Sequence, residues 1–242
     1  MTYPVAQAFD DISHRYDTLV GLSPGYHAQL RSSARAFADR LMSHAEVGGA
    51  VVRILDLGCG SGASTRALTR ALDRHGPFVV LGVDASAGMV DQAGAKDWPS
   101  TVSFVQARAE DLSDLPETRE VDGIFAAYLL RNVVEREQLL HDVRAALRPG
   151  GTFVVHDYFR PMSSISRAAW SVLAWTIIIP LSAVLTRQPG LFIYLWRSVA
   201  QFETVEQIAR ALVSAGFEDV DIAAVRGWER FVVHTISARR PR

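Results

Sequence analysis

The period of hydrophobic and polar positions changes several times along the chain. Residues 3–46 follow a helical spacing, interrupted by a turn at Leu22-Ser23-Pro24-Gly25. Within the second part, Leu30, Ala34, Phe37, Ala38 and Leu41 make one apolar stripe. From residue 51 onward, short β-rich runs alternate with helical patterns. VVRILDL (51–57), FVVLGVD (78–84), TVSFVQA (101–107), VDGIFAAY (121–128) and GTFVVHDY (151–158) read as five strands. Between them the pattern predicts a helix over SGASTRALTRAL, one near Ala87–Ala95 capped by Ser86, and one from about Val133 to Leu147. Arg144 and Arg148 suit the C-terminus of that last helix, and Pro149-Gly150-Gly151 is expected to stop it.

Strands alternating with helices of this length call for a parallel sheet with right-handed crossovers. The end of the chain leaves that alternation. Thr204 and Gln207 form a capping-box pattern for a helix ending at Ala215-Gly216. Two strand runs about Arg226-Gly227 then predict a hairpin. The expectation is one α/β domain over 1–242: a doubly wound sheet of five parallel strands closed by an antiparallel C-terminal hairpin. A helical cap at 1–48 and an apolar helical insertion at 162–200 would complete it.

That insertion changes the picture most. From Ala168 to Thr186 there is no charged residue, a length close to the ~20 residues that cross a bilayer. Pro180 at its centre and the scattered serines and threonines favour a buried or membrane-facing helical lid over a span. The same surface leaves peripheral membrane contact through 165–200, or a homodimer face, open.

Charge and composition narrow the partners. With 25 basic and 26 acidic side chains the net charge is −1, so no basic footprint for nucleic acid is present. Cys59 is the single cysteine, which excludes an internal disulfide framework and leaves no cysteine cluster for zinc; no metal site is expected. The acids in MTYPVAQAFDDISHRYD do not suit a secretory signal, and a cytoplasmic setting is the default.

The candidate chemistry gathers at the strand ends. In Asp56-Leu57-Gly58-Cys59-Gly60-Ser61-Gly62, glycines at 58 and 60 let a nucleotide-like ligand approach the backbone. Gly58, Gly60 and Ala63 also satisfy the dinucleotide pattern, so an NAD(P)-binding oxidoreductase stays open. Asp56 before the glycines suits a methionyl ammonium better than a pyrophosphate, and no cationic neighbour is evident. Asp84, ending the second strand, can accept from both ribose hydroxyls, with Ala85 and Met89 following it. Arg108-Ala109-Glu110 at the end of the third strand can frame an adenine. His156, ending the fifth strand, is a candidate base by its near-neutral titration. Asn132 is equally suited to substrate contact and to capping a helix.

With these residues in view, the chain resembles the ubiquinone/menaquinone C-methyltransferase family, the UbiE/MenG/Coq5-like class I enzymes. The similarity runs through FDDISHRYD (9–17), ILDLGCGSG (54–62), VVLGVDASAGM (79–89), YLLRNV (128–133), LRPGGTFVVHDYFRP (147–161) and FETVEQIARALVSAGFEDV (202–220). It implies S-adenosylmethionine as cofactor, with S-adenosylhomocysteine as product, on Gly58, Gly60, Thr65, Asp84, Arg108 and Ala109. It implies a catalytic cluster on Tyr16, Arg131 and Asn132, and C-methylation of a lipophilic, prenylated phenol or quinol. Tyr128-Leu129 stands where the family has Phe-Gly, which bears on the acceptor. A lipid or secondary-metabolite methyltransferase, and a non-catalytic cofactor-binding partner, are the other readings.

Overall fold

A computed structural model describes residues 25–44, 50–186 and 189–242, together with Asp10, Asp17 and Gly21. Its centre is a seven-stranded sheet. The strands are β1 (Val52–Leu57), β2 (Phe78–Asp84), β3 (Val102–Gln106), β4 (Val121–Ala127), β5 (Leu147–Tyr158), β6 (Glu218–Ala224) and β7 (Val233–Arg239), in the order β3-β2-β1-β4-β5-β7-β6. The first five run parallel, and β7 joins β5 and β6 antiparallel. This is the doubly wound sheet with a C-terminal hairpin that the alternation predicts.

Both faces of the central strands are covered, so β4 is buried at every position. Side chains alternate between two cores because the strand period is two. Ile54, Phe125 and Val154 face α1 (Tyr26–His44) and α2 (Ala63–Leu72). Leu55, Ile124, Phe153 and Val155 face α4 (Arg136–Ala146) and α8 (Val205–Ser214). The stripe Leu30, Ala34, Phe37, Ala38 and Leu41 is the buried face of α1. Ser86 caps α3 (Ala87–Gly94) by accepting from the Met89 N–H, and Thr204 with Gln207 closes a capping box on α8.

Three boundaries differ from the sequence expectation. α4 begins at Arg136 rather than Val133, because Leu130–Asn132 winds into a 3₁₀ turn and Val133 is extended. It ends at Ala146, because Leu147 already pairs with Val121 in the sheet; Pro149-Gly150-Gly151 lies within β5 and does not stop the helix. The β6–β7 connection spans residues 225–232 and contains a 3₁₀ turn at Trp228–Phe231, so it is longer than a tight turn at Arg226-Gly227. Of the predicted N-terminal helical region, Tyr16 and the Leu22-Ser23-Pro24 part of the turn lie outside the described residues.

The insertion forms α5 (Ser164–Leu173), a π-helical turn at Ala174–Ile178, α6 (Ile179–Thr186) and α7 (Pro189–Gln201). Pro180 does not end the helix. A proline ring collides with the carbonyl four residues back in an α-helix, and the wider turn just before it gives that carbonyl room. Trp170 and Val199 pack with Tyr158, Val232 and Val233, which seats the insertion on the end of the sheet.

Candidate active site

Where β1 and β4 run side by side, their crossovers depart in opposite directions, and ligands of doubly wound sheets bind outside the strand ends at such a point. A cavity of about 740 Å³ opens there. Its walls include Gly58, Gly60, Asp84, Ala85, Met89, Arg108, Ala109 and Glu110, and also Tyr26, Tyr128, Leu129, Asn132, Val133 and Val134.

The glycine loop is pinned to β2. The Gly58 and Cys59 N–H groups both donate to the Val83 carbonyl, at 2.8 and 3.0 Å. Asp84 Oδ2 accepts from the Gly60 N–H at 2.8 Å, and Oδ1 from the Ser86 N–H at 2.9 Å. Burial, reinforced by Asp10, raises the Asp84 pKa even though the Ser86 and Gly60 N–H groups favour the carboxylate. Gly58 has φ +75°, and a Cβ there would lie 2.9 Å from Leu129 Cδ1. The backbone conformation and the close approach of Leu129 both call for glycine.

Asp56 behaves differently from the expectation that it would meet an ammonium in the cavity. Its side chain is fully buried and turned toward the start of α2, where Oδ2 accepts from Ser64 Oγ at 2.8 Å and Thr65 Oγ1 at 2.6 Å. Thr65 is thereby drawn out of the cavity wall as well. Asp56 Oδ1 is buried without a partner among the described residues, and desolvation pushes the carboxyl up to about 7.

The residues expected to be catalytic do not converge. Tyr16 lies outside the described residues. Arg131 is neither a surface cation nor a cavity group. Its Nε is 2.6 Å from Asp157 Oδ1, and its Nη1 donates to Ser198 Oγ of α7 at 2.8 Å. Burial alone would lower the Arg131 pKa, but the Asp157 carboxylate raises it. His156 is fully buried and opens onto a separate groove beside α1; its Nε2 lies 3.2 Å from Tyr128 Oη and its Nδ1 2.9 Å from Thr235 Oγ1. Burial depresses its pKa to about 3, so the imidazole is neutral. Asn132 does line the cavity, but not as a helix cap. Its Nδ2 donates to the Tyr128 carbonyl at 3.3 Å and its Oδ1 accepts from Tyr194 Oη of α7 at 2.7 Å.

Sequence reasoning missed several contributors. Lys96 approaches the glycine loop, with Nζ donating to the Ser61 carbonyl at 2.6 Å; Asp17 accepts from the same Nζ at 2.6 Å and compensates its charge. Asp10 accepts from Ser86 Oγ and from the Gly88 N–H. Both acids belong to the FDDISHRYD segment, so their presence near the loop was in principle signalled there. Tyr128 adopts φ +58°, and its ring lies between Tyr26, His156 and Tyr158. Among the described residues, no cluster of three or more His, Cys, Asp or Glu is disposed to hold a metal ion.

Comparison with known proteins follows the same line. The model of the ubiE/COQ5 methyltransferase family matches residues 2–233. The ubiquinone/menaquinone biosynthesis C-methyltransferase UbiE of Pseudomonas paraeruginosa is 28% identical over 218 residues, covering 89% of this chain and 82% of that protein. UbiE of Shewanella sp. strain ANA-3 is 28% identical over 172 residues, 70% of this chain and 68% of the relative. Among solved structures, the plantazolicin methyltransferase BpumL, in complex with a monoazolic desmethylPZN analog and S-adenosylhomocysteine, superimposes with a TM-score of 0.67 at 16% identity, covering 99% and 95% of the two chains. The [4+2]-cyclase SpnF gives 0.66 at 17% identity, covering 98% and 95%. At such identities the structural matches speak for the fold alone.

Proposed function

The chain belongs to the ubiE/COQ5 methyltransferase family and is an S-adenosylmethionine-dependent methyltransferase, and from that premise we propose that it methylates a ring carbon of a lipophilic, prenylated phenol or quinol. The observation that carries this reading is the cavity itself. One continuous cavity brings the glycine loop and the Asp84 carboxylate together with the apolar side chains of Leu129, Val133 and Val134. Its volume is within the range of about 300–1,000 Å³ usual for small-molecule sites. The names of the UbiE relatives agree with a ring-carbon acceptor.

Gly58 and Gly60 would hold the cofactor through bare backbone, Asp84 through the ribose hydroxyls, and Ala109 with Glu110 through the adenine. The fit is supported by the open space over Gly60, where a Cβ would meet nothing within 4 Å, and by a carboxylate already fixed by two N–H groups at the end of β2. When bound, the cofactor supplies an electrophilic methyl group on a sulfonium. The chain's task is then alignment and exclusion of water. Leu129 and Val133 would keep the acceptor dry. Asn132, fixed between Tyr128 and Tyr194, presents an amide where the acceptor's oxygen would lie as its hydroxyl loses a proton. Arg131 acts through position: tied to Asp157 and Ser198, it holds the 3₁₀ turn that carries Asn132 against α7. His156 anchors Tyr128 and does not take the proton. We place the protein in the cytoplasm, peripheral to the membrane's inner face through 165–200, with 1–48 as a cap on the same methyltransferase domain.

The test is methyl transfer by the purified protein from labelled S-adenosylmethionine to detergent-dispersed prenylated phenols, with the product's methyl located by mass spectrometry. Label on a ring carbon is expected. Label on oxygen or nitrogen alone, or none with any prenylated ring, overturns the reading.

A further inference from the structure

The helical stretch Ser164–Leu181 is long and apolar enough to cross a membrane, yet only 17% of it is buried in the protein. Its outward stripe is Ile165 (81% exposed), Val172 (61%), Trp175 (50%) and Leu181 (52%), with Ala168 and Ala169 between. On a helix of a water-soluble domain this stripe is normally polar. Here the inward positions Trp170, Ala174 and Ile179 are apolar too and packed against the body of the protein. Crossing a bilayer would strip that inner face from the sheet, so the helix is suited to lie in the membrane plane.

A second observation selects the kind of membrane. Between Asp157 and Glu203 the chain has no acid and four arginines: Arg160, Arg167, Arg187 and Arg197. Against a net charge of −1 for the whole chain, this +4 segment leaves −5 to the remainder. Arg167 and Arg197 of this segment are exposed, so a second copy of it would set cation against cation, whereas an anionic headgroup layer complements it. An exposed tryptophan and exposed arginines in one apolar segment are the usual composition of a helix seated at a membrane interface.

We infer that the outward face of α5 and its π-turn continuation docks, in plane, on an anionic phospholipid bilayer. The inference rests on the lipophilic-acceptor reading for its purpose, since docking there brings the cavity to the lipid phase. Trp196 Nε1 donates to Ser171 Oγ, tying α7 to α5, and Tyr194 of α7 donates to Asn132 at the cavity wall. Docking therefore bears on the cavity wall at Asn132.

The experiment is co-sedimentation of the full-length protein with vesicles of phosphatidylcholine alone, or of phosphatidylcholine with phosphatidylglycerol, at low and high salt. Binding to the anionic vesicles should exceed binding to the neutral ones by at least about tenfold and fall with salt, because each arginine near the surface contributes about fivefold. The combined Ile165→Glu, Val172→Glu and Trp175→Glu variant should lose vesicle binding while keeping its affinity for S-adenosylhomocysteine, which certifies folding. Arg167→Gln with Arg197→Gln should weaken anionic binding and leave the weak neutral binding unchanged. Equal binding to both vesicle types overturns the inference. So does absence of vesicle binding together with a dimer that the triple variant abolishes. Anionic docking by a protein that methylates no prenylated ring would sink the acceptor reading and leave the docking surface standing.

Discussion

Replacing Arg131 by methionine discriminates between a strut and a group acting in the cavity. Arg131 and Asp157 form a buried pair at 2.6 Å, with side-chain exposures of 7% and 0%. Removing the cation leaves the Asp157 carboxylate in a dry site with only the Tyr158 N–H close, at 2.7 Å, and the Arg131 N–H at 3.4 Å. Breaking one side of such a pair costs about 3–5 kcal/mol. For a chain of this size, 1 kcal/mol moves the melting temperature by about 2–4 °C, so a fall of roughly 6–20 °C is expected. Removing both charges, as Arg131→Met with Asp157→Leu, should restore most of the loss, because a buried pair exchanged for apolar groups is often near neutral. Thermal unfolding of the single and double variants, with and without S-adenosylhomocysteine, measures this. A single variant that melts like the parent but fails to turn over would refute the strut and return Arg131 to the chemistry.

Asp84→Ala removes a carboxylate from the cofactor end of the cavity and the acceptor of the Gly60 N–H; calorimetry should show S-adenosylhomocysteine binding weakened about 10- to 100-fold, the worth of a charged hydrogen bond. Tyr194→Phe removes only the donor to Asn132, so the acceptor KM should rise a few-fold while cofactor affinity holds; a change in cofactor affinity alone would contradict its placement. Asp56 carries a pKa raised by burial from 3.8 to about 7. Its contribution to stability is therefore complete below about pH 4 and lost as pH rises through 7, on the order of 4 kcal/mol at full ionisation. Asp56→Asn should flatten that slope in urea unfolding at pH 5 and pH 8; parallel slopes in the two proteins would exclude it.

What could be read from the chain was whatever is written locally. The strands of β1, β2 and β4, the Ser86 cap and the Thr204–Gln207 box depend on neighbours within a few residues, and each is where its pattern puts it. The glycine loop and Asp84 were legible because backbone reach at a strand end needs no distant partner. Arg131 was not, since its fate is decided by Asp157 on another strand and Ser198 in the insertion. Asp56 turned away from the cavity for a reason that was nearly legible: Ser64 and Thr65 open the next helix with two hydroxyls at its reach. Lys96 reached the glycine loop from beyond α3, a fold-back that no spacing announces. The end of α4 was misplaced because Leu147 joins the sheet, and strand pairing overrode the proline-glycine punctuation.

Tyr128 joins parts that would otherwise respond separately. Its left-handed backbone stands at the tip of β4, its ring stacks on Tyr26 of α1, and its carbonyl receives Asn132. Seating of the first helix and the shape of the cavity wall beyond β4 are thus two readouts of a single balance. Whatever loosens α1 spends part of its effect on the cavity, both through Tyr26, which lines it, and through the Tyr128 ring stacked on Tyr26.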